Sequence, residues 1–421
     1  MKLDRRLFVG LLAGGGAGAL AGCDSTGQQV QAVPDQSGLT DEELIRAAET
    51  PILRLDGIDS PLIIDSLRLL KKDDEYFVHV RSKDGAEGIS VTNSRASYLY
   101  PILQELVFPF FIGKDARKLE SELLFELYRH RSNYKLQGIG LWCPQAWTEF
   151  ALLDLLGRVA NRSMGEILGG TVRSEVPFYI ASGRRDSTPE EEVEYLQSLV
   201  EETGAGAVKF RVGGRMSRNA DSLAGRTENL IRLSRKVLGD SIDLHADANS
   251  SYDPEHAVQI GRLLEEVNAV YFEEPCPFDH LQDTKKVTDA LTIPVALGEQ
   301  EYSQRRFLWI IRDRMADIVQ PDLQYYGGMI RSIRVARMAA LAKMPTTVHI
   351  SGGFGFIYML HFASVTLDIG KYQEYKRGLE RYNPWFTTPV EVRQGKFTVP
   401  GGPGVGIADI AAVLKGAEVL I

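Results

Sequence analysis

The chain has 421 residues, enough for an eight-stranded α/β barrel of about 250 residues and a second domain. Its formal net charge of −8 and its scattered basic residues argue against nucleic-acid binding. The three cysteines, Cys23, Cys143 and Cys276, exclude a disulfide framework, and no Cys-x-x-Cys or Cys/His pairing predicts a zinc site.

The first residues predict an export signal. Arg5 and Arg6 precede Phe8 and a short Gly/Ala/Leu stretch, which ends in Leu-Ala-Gly before Cys23. A charged start, a short apolar core and small residues before the cut are typical of a signal peptide rather than a membrane span. The arginine pair resembles a twin-arginine signal, and the Leu-Ala-Gly-Cys end resembles a lipoprotein cleavage box. Residues 1–23 are therefore interpreted as an export signal with its lipobox.

We expect Cys23 to become the lipidated first residue of the mature protein and to hold it at a membrane. The alternative is an N-terminal membrane anchor that is never cut. Asp24 resembles the signal that keeps Gram-negative lipoproteins at the inner membrane. The sequence thus predicts a periplasmic or cell-surface lipoprotein, tethered to the inner membrane and exported by the twin-arginine route. Residues 24–40, rich in Gln, Ser and Gly, form the predicted flexible tether.

Residues 41–172 are predicted to form an α+β unit. Alternating apolar and polar residues predict a hairpin of two strands, Leu62–Lys71 and Tyr76–Ser82, and a third strand at Gly88–Thr92. Helical spacing follows in three segments, which are Ser97–Leu106, Ala116–Arg129 and Ala146–Ala160.

From residue 173 to 378, short strands alternate with helices such as Glu190–Thr203, Thr227–Leu238 and Pro254–Glu266. Eight strands are expected, at Pro177–Ala181, Ala207–Val212, Ile242–Asp247, Ala269–Phe272, Val295–Gly298, Ile318–Gln320, Thr346–Ile350 and Ser364–Ile369. Residues 379–421 form a Pro/Gly-rich tail that we expect to fold back on the N-terminal unit. The predicted class is α/β: a (β/α)₈ barrel with an α+β N-terminal capping domain that the C-terminal tail completes.

Three carboxylates follow barrel strands at equal spacing. Asp247, Glu273 and Glu299 lie 26 residues apart, each at the end of a short apolar run, and in the pair Glu273–Glu274 this spacing selects Glu273 as the inward-facing acid. Equivalent strand ends recur at near-regular intervals, so the three acids are predicted to lie side by side on one rim of the barrel. Converging anions repel each other unless a cation lies between them, and oxygen ligands favour a hard ion, most simply one Mg²⁺ per site. Three unrelated helix-capping acids are the alternative, but it does not explain the equal spacing.

Two cations are predicted beside the metal ligands. Side chains two residues apart on a strand face the same side, so Lys209 and Arg211 point together into the barrel mouth, as do Asp247 and Asn249. Such a charge-compensated pocket suits a carboxylate substrate. The alternative is a surface-facing pair at the end of a strand.

Asp322 and His349 end the sixth and seventh predicted strands and should therefore be neighbours. A carboxylate bonded to one imidazole nitrogen fixes the tautomer and raises the basicity of the ring, which makes His349 a candidate general base or acid. Glu374 is placed past the eighth strand, where it could hydrogen-bond a substrate or cap a helix.

With these motifs the chain resembles the enolase superfamily, in its mandelate racemase / muconate lactonizing enzyme group. The resemblance runs from about Ile63 onward. It rests on Leu-Leu-Asp-Leu-Leu-Gly-Arg and Leu-Gly-Gly before the barrel, a Lys-x-Lys-like segment at strand two, the carboxylate triad and Pro-Gly-Val-Gly in the tail. The 27-residue step from Asp322 to His349 and its Gln-Pro-Asp context match the dyad of the mandelate racemase subgroup.

The resemblance implies a metal that binds the substrate carboxylate and stabilises the enediolate formed when a base removes the α-proton. Lys209 would add to this stabilisation. Without it, the α-proton beside a carboxylate is too weakly acidic for a histidine to remove. Asn249 and Glu374 would hold the substrate or its enolate. In this group mobile loops of the N-terminal unit close over the barrel mouth, so Arg95 and Tyr98 are candidates to reach sugar hydroxyls. A homo-oligomer is also expected.

Arg211 departs from the family pattern, in which a second lysine serves as the base on one face of the α-carbon. An arginine stays protonated and is a poor base, which weakens a two-base racemase. Dehydration needs less, because His349 could remove the α-proton and then protonate the leaving 3-hydroxyl, or a neighbouring group could perform one of these two steps. Either route gives a 2-keto-3-deoxy acid. Lys209 as the sole base, with Arg211 binding carboxylate, remains open.

We therefore expect a Mg²⁺-dependent lyase, a dehydratase of an acid sugar. The first alternative is a racemase or epimerase of an α-substituted carboxylate on the same scaffold. The second is a surface binding or sensing protein that keeps the metal pocket without turnover.

Overall fold

The computed structural model describes residues 38–350 and 352–421. The predicted export signal, Cys23 and most of the predicted tether lie outside the described residues. Helix α1 (Asp41–Glu49) comes first, and the Thr40 side chain caps it in a reciprocal box with Glu43. In the described part of the chain no helix combines the length and the apolar character needed to cross a membrane.

An antiparallel sheet follows, with strands β1 (Ile64–Lys72), β2 (Glu75–Ser82) and β3 (Glu87–Val91) paired in chain order. It confirms the predicted hairpin and third strand. The helices that follow are α2 (Ala96–Ile102), α3 (Phe108–Phe111), α4 (Leu124–Arg129), α5 (Ile139–Val159) and α6 (Met164–Ile167), and α5 packs on β2 and β3. Helix α5 starts well before the predicted Ala146, because it is buried on every side and its sequence lacks a polar stripe that would mark its period.

The barrel strands alternate with helices in the order predicted. They are β4 (Glu175–Ala181), α7 (Pro189–Thr203), β5 (Ala207–Arg211), α8 (Arg226–Leu238), β6 (Asp243–Asp247), α9 (Pro254–Glu266), β7 (Tyr271–Glu273), α10 (Leu281–Ala290), β8 (Val295–Leu297), α11 (Gln304–Arg312), β9 (Ile318–Val319), α12 (Met329–Leu341), α13 (Gly355–Val365) and β10 (Gln373–Tyr375). Strands β4 to β9 are parallel neighbours, and β10 pairs with β4. Single bridges at Thr346 and His349 mark the seventh strand position.

The predicted eighth strand at Ser364–Ile369 is wrong. Ser364 and Val365 end helix α13, and the eighth strand is β10, which contains Glu374. Helix α13 is buried on all sides, so its apolar run carries no helical periodicity, and such a run does not distinguish a buried helix from a buried strand.

The C-terminal tail joins both sheets. It forms strands β11 (Val392–Arg393) and β12 (Lys396–Thr398), helix α14 (Ile410–Leu414) and strand β13 (Glu418–Val419). Strand β13 pairs with β1, so the tail folds back on the N-terminal sheet as expected. Strand β12 also pairs with β4 of the barrel, which was not foreseen. The boundaries given above for the domains stay predictions.

Asp154 ties the tail to the N-terminal unit. Its buried carboxylate accepts hydrogen bonds from the backbone N–H groups of Ile89 (2.9 Å) and Val405 (2.7 Å) and from Nε of Arg158 (2.7 Å). Gly404 has φ +65°, and a Cβ there would meet the Asp154 carboxylate. This contact explains why a glycine precedes Val405 in the Pro-Gly-Val-Gly segment.

Glu149, on helix α5 of the N-terminal unit, caps the barrel helix α12. Its Oε1 accepts a hydrogen bond from the N–H of Ile330 (3.0 Å) in the first turn of α12. Gly328 has φ +113°, and a Cβ there would lie 2.5 Å from the Glu149 carboxylate, so only glycine admits this approach. Burial raises the pKa of Glu149 to about 8, although the backbone N–H groups of Ile330 and Met329 act in the opposite direction.

We therefore predict that Glu149 makes the protein less stable as the pH rises. Between its ordinary pKa of 4.5 and about 8, the folded protein keeps a proton that the unfolded chain has lost. The free energy of unfolding then falls by up to about 1.4 kcal/mol per pH unit from this group alone. In Glu149→Gln, which imitates the protonated acid, this contribution should vanish.

The measurement is urea unfolding of wild type and Glu149→Gln from pH 5 to pH 8. The curves should be closest at pH 5, with the variant increasingly the more stable as the pH rises. A constant difference across this range would show that Glu149 is already ionised at pH 5.

Candidate metal centre and active site

The three predicted carboxylates meet on one rim of the barrel. Asp247 and Glu273 are register partners at the ends of β6 and β7, and Glu299 follows β8. One oxygen from each lies within 4.8 Å of the others, and all three residues are buried. Within residues 38–350 and 352–421, no other group of three or more acidic, histidine or cysteine side chains is arranged in this way.

This donor set fits Mg²⁺. Three carboxylates offer hard oxygen ligands, and neither sulfur nor imidazole belongs to the triad. Buried carboxylates so close together would otherwise have to share protons, since like charges at such short range disfavour ionisation. The structure thus fits the predicted centre and its ligands.

Lys209 lies among the acids as a buried cation. Its Nζ is 2.8 Å from both Glu273 oxygens, 3.1 Å from Oε1 of Glu374 and 3.7 Å from Oδ2 of Asp247. Burial lowers the pKa of Lys209, but Glu273 and Glu374 outweigh it and hold the pKa above its ordinary value. In this environment Lys209 stays protonated and is poorly suited to act as a base.

Arg211 lies two residues further along β5 and faces the same interior. Its Nη1 forms an ion pair with Oδ2 of Asp247 and donates to Oδ1 of Asn249 (3.3 Å), while Nε donates to the carbonyl of Ser182 (3.0 Å). The predicted inward orientation of Lys209 and Arg211 is confirmed by these contacts.

The structure joins Asp322 and His349 as predicted. Nδ1 of His349 is 2.7 Å from Oδ2 of Asp322, whose Oδ1 accepts from the N–H groups of Gln324 (2.7 Å) and Tyr325 (2.8 Å). The aspartate is thereby fixed in orientation. The other imidazole nitrogen, Nε2, is 3.4 Å from Oε2 of Glu299 and therefore faces the metal centre.

The charges around His349 favour its protonated form. Burial lowers the pKa of the imidazole, but the charge of Glu299, the hydrogen bond to Asp322 and the charge of Glu374 outweigh burial and raise it, against an opposing effect of Lys376. The ring can therefore hold a proton beside the carboxylates. Such a group is able to act both as a proton acceptor and as a proton donor.

Glu374 lies inside the eighth strand, β10, and not past it as predicted. It is fully buried, and its Oε2 accepts from the N–H of Ile350 (3.1 Å). Burial raises its pKa, but Lys209, Lys376 and His349 together hold the pKa well below the ordinary value. The ionised carboxylate thus links the two sides of the site, Lys209 and His349.

A cleft of about 370 Å³ opens above this rim. Its lining residues are Arg95, Arg215, Met216, Asn249, Ser250, Glu274, Phe278, Glu299, Gln300, Tyr325, His349 and Lys376. A larger cleft of about 660 Å³ runs between the N-terminal helices and α12, but neither the triad nor the His349–Asp322 pair lines it. The smaller cleft is therefore the candidate active site.

Two of the predicted substrate contacts line this cleft. Asn249 is held by Asp247, whose Oδ1 accepts its backbone N–H (2.8 Å), and Arg95 lies over the ring of Tyr325 with its guanidinium carbon 4.6 Å from the centroid. Tyr98 is not brought to the cleft. Tyr98 belongs to α2, and 58% of its surface is exposed. The residue at the start of this helix that lines the cleft is Arg95.

Glu274 also lines the cleft, although the sequence allowed one inward-facing carboxylate in this pair and the 26-residue spacing selected Glu273. Strand β7 ends at Glu273, and Glu274 has φ +42°, so the pleat no longer determines its direction. Its Oε2 accepts from Nδ2 of Asn249 (3.4 Å). Burial, followed by the charges of Glu299 and Glu273, raises its pKa well above the ordinary value.

Further residues of the site were missed. Gln320 donates from Nε2 to Oε2 of Glu273 (3.0 Å), and Lys376 lines the cleft with Nζ 3.7 Å from Oε1 of Glu374. Each stands two residues from a predicted site residue, Gln320 before Asp322 and Lys376 after Glu374. Strand alternation does not extend to either residue, because β9 ends at Val319 and β10 ends at Tyr375.

The fold and the site are those of a metal-dependent α/β-barrel enzyme. Residues 191–409 match the family model described as enolase C-terminal domain-like. The chain belongs to the enolase superfamily, whose enzymes bind Mg²⁺. The resemblance read from the motifs is thereby confirmed for the family and the fold.

Among curated relatives, arabinonate dehydratase of Saccharolobus solfataricus is 28% identical over 306 residues, covering 72% of this chain and 79% of the relative. L-Talarate/galactarate dehydratase of Salmonella typhimurium is 28% identical over 336 residues, covering 78% of both. L-Ala-D/L-Glu epimerase of Bacillus subtilis is 24% identical over 364 residues, covering 84% and 94%. Named relatives thus include lyases and an isomerase.

Two solved structures have the same fold. A protein of Roseobacter denitrificans, provisionally described as a racemase, is 34% identical with a TM-score of 0.78, covering 85% of this chain and 99% of its own. A mandelate racemase/muconate lactonizing protein of Paracoccus denitrificans, complexed with magnesium, is 25% identical with a TM-score of 0.78 and the same coverage.

We predict that Asp247→Asn lowers the affinity for Mg²⁺, because it removes one of three negative charges that face the ion. The dissociation constant measured by titration calorimetry should rise about 100-fold. Glu301→Gln is the matched control, since this buried acid two residues after Glu299 is bound by Arg306 instead (2.7 Å). Equal loss in both variants would mean that the triad does not hold the metal.

Proposed function

We propose that the protein is a Mg²⁺-dependent dehydratase of an acid sugar, which removes the proton α to a carboxylate, expels the 3-hydroxyl and yields a 2-keto-3-deoxy acid. The observation that carries the proposal is the His349–Asp322 pair, in which the second imidazole nitrogen, Nε2, faces the carboxylate triad. Arabinonate, talarate and galactarate dehydratases among the relatives support the substrate class.

Asp247, Glu273 and Glu299 would hold one Mg²⁺ per active site, which supplies positive charge that makes the α-proton more acidic. Lys209 adds a second, buried positive charge at the same rim. A fixed cation in a buried site stabilises developing negative charge without reorganising. Asn249, at the cleft wall, and Glu374, buried between Lys209 and His349, would hold the substrate.

His349 is proposed to carry the proton through both steps. The bond from Nδ1 to Asp322 leaves Nε2 as the acceptor, which takes the proton from C2 and gives an enediolate. The same nitrogen then donates that proton to the 3-hydroxyl, and water leaves as the C2–C3 double bond forms. The resulting enol takes a solvent proton at C3 and becomes the 2-keto-3-deoxy acid.

A racemase or epimerase is the second candidate, favoured by the epimerase and the provisionally described racemase among the relatives. Inversion needs a proton acceptor on each face of the α-carbon. Arg211 occupies the position of the family's second base and forms an ion pair with Asp247, and Lys209 is held protonated. These two cations favour dehydration over inversion.

The test is proton NMR in D₂O with Mg²⁺ on a panel of acid sugars and other α-substituted carboxylates. We expect the α-proton signal to disappear while a C3 methylene carrying deuterium and a 2-keto acid appear. In His349→Asn, kcat/KM should fall about 10³-fold, the range of general acid–base catalysis. His256→Asn, on α9 outside the cleft, is the matched control.

Exchange or inversion at C2 without loss of water would contradict the dehydratase and support the isomerase. Arg211→Lys sharpens this distinction, since a large gain of racemisation would mean that the scaffold lacks just its second base. Tight Mg²⁺ binding without turnover of any compound in the panel would support the surface binding protein.

We also propose that the protein is exported by the twin-arginine route and held at the inner membrane through a lipid on Cys23. The support is the sequence alone, Arg5–Arg6 followed by a short apolar stretch and Leu-Ala-Gly-Cys. A homo-oligomer likewise stays a prediction.

Metabolic labelling with a palmitate analogue tests the anchor. Wild type should take up label and sediment with membranes, while Cys23→Ser should do neither. Cys276→Ser, a buried cysteine of the barrel, is the matched control and should behave as wild type. Membrane association that persists in unlabelled Cys23→Ser would instead indicate an uncleaved N-terminal anchor.

A further inference from the structure

Two guanidinium groups share one amide oxygen beside the metal centre. Arg185 donates from Nη2 (2.5 Å) and Arg211 from Nη1 (3.3 Å) to Oδ1 of Asn249. Arg215 lines the same cleft as Asn249. Three arginines therefore gather on the strand-two side of the site, and the chemistry of proton transfer uses none of them.

The loop that carries Arg215 is fixed to the next strand end. The N–H of Met216 donates to the carbonyl of Asn249 (3.0 Å), and the N–H of Asn219 donates to the carbonyl of Ser251 (2.7 Å). Met216 (φ +51°) and Asn249 (φ +40°) both have left-handed backbone, which is costly outside glycine. Such strain is typical of functional sites, where surrounding structure holds it in place.

Two of the three arginines, Arg185 and Arg215, lack an ion-pair partner among the described residues. Among the described residues Arg211 has an ion-pair partner, Asp247, which is also a metal ligand, whereas no carboxylate oxygen lies within 4.0 Å of Arg185 or Arg215. Nε of Arg185 is buried and has no hydrogen-bond partner among the described residues. Burial, then the charges of Arg211 and Arg215, lower the pKa of Arg185 to about 9. Concentrated positive charge of this kind attracts an anion.

We propose that Arg185 and Arg215, next to Arg211, form an anion subsite that binds the second carboxylate of a dicarboxylic acid sugar. This inference rests on the proposed function and names its substrate class: sugar diacids rather than monocarboxylic sugar acids. The first carboxylate is taken at the metal rim, and the arginines take the far end of the chain. Planar guanidinium groups match a carboxylate with paired hydrogen bonds, which a lysine cluster would not do.

A hydroxyl at the far end of the substrate would not serve as well. A hydroxyl carries no charge. When it fills the cleft, the arginines lose their bound water and gain no negative charge in return. Sites built around charged or hydrogen-bonding partners reject analogues that lack the matching group far more strongly than apolar sites do. The subsite therefore acts on specificity, and its effect should be measurable as a ratio between matched substrates.

The first experiment compares kcat/KM for diacids and monoacids that share the configuration at C2 and C3, such as galactarate with galactonate and glucarate with gluconate. We expect the best diacid to exceed its matched monoacid by about 100-fold or more. A monoacid that matches or exceeds its diacid overturns the subsite. A faster reaction of 6-phosphogluconate than of any diacid overturns the carboxylate assignment in favour of phosphate.

The second experiment removes the charges singly. In Arg215→Gln and Arg185→Gln the diacid-to-monoacid ratio should fall at least about 10-fold, through a higher KM for the diacid. Arg215→Lys should recover part of the ratio, because the charge returns without the planar geometry. Arg218→Gln, on the same loop but not lining the cleft, is the matched control. An unchanged ratio in both glutamine variants overturns the subsite.

Binding separates this inference from the dehydratase proposal. Calorimetry of the Mg²⁺-loaded protein with galactarate and galactonate should show tighter binding of the diacid, lost in Arg215→Gln. If this pattern holds while no compound is dehydrated, the subsite stands and the dehydratase fails. If monoacids are dehydrated without any preference for diacids, the dehydratase stands and the subsite fails.

Discussion

Repulsion among Asp247, Glu273 and Glu299 is the constraint on which the rest of the site depends. Three buried carboxylates within 4.8 Å stay ionised together only where positive charge is close, because water is excluded. The strand register brings Lys209 and Arg211 beside them, and the remaining imbalance is what a divalent cation would relieve. The barrel rim therefore requires cations beside its carboxylates, and an anionic substrate can bind to these cations.

The same balance of charge determines which groups can move protons. A lysine surrounded by carboxylates holds its proton, and an arginine holds its own in almost any setting. The imidazole of His349 differs, because one nitrogen is bonded to Asp322 and the other faces the metal rim beside Glu299. One mobile proton beside two fixed cations suits elimination, in which a single group can take the proton from one carbon and give it to the neighbouring oxygen.

The sequence predicted the fold class and the side chains that meet at the rim, but it misjudged single elements. Equal spacing located the triad because βα units repeat, and strand alternation then located the cations. Helix α13 was taken for a strand because it is buried on all sides. Glu274 was excluded by a rule that holds within a strand and ends with it. Arg185 and Arg215 lie on loops whose course depends on hydrogen bonds to Asn249, so no local pattern marks them.

Pairing of β13 with β1 brings the last described strand onto the first, with the N–H of Leu69 donating to the carbonyl of Ile421 (3.0 Å). The whole barrel lies between these two strands in the sequence. The N-terminal sheet therefore gains its last strand after every barrel strand has been synthesised, so its edge stays open during most of translation. The order of synthesis and the order of sheet assembly therefore differ, because the strand that completes the N-terminal sheet follows the whole barrel in the sequence.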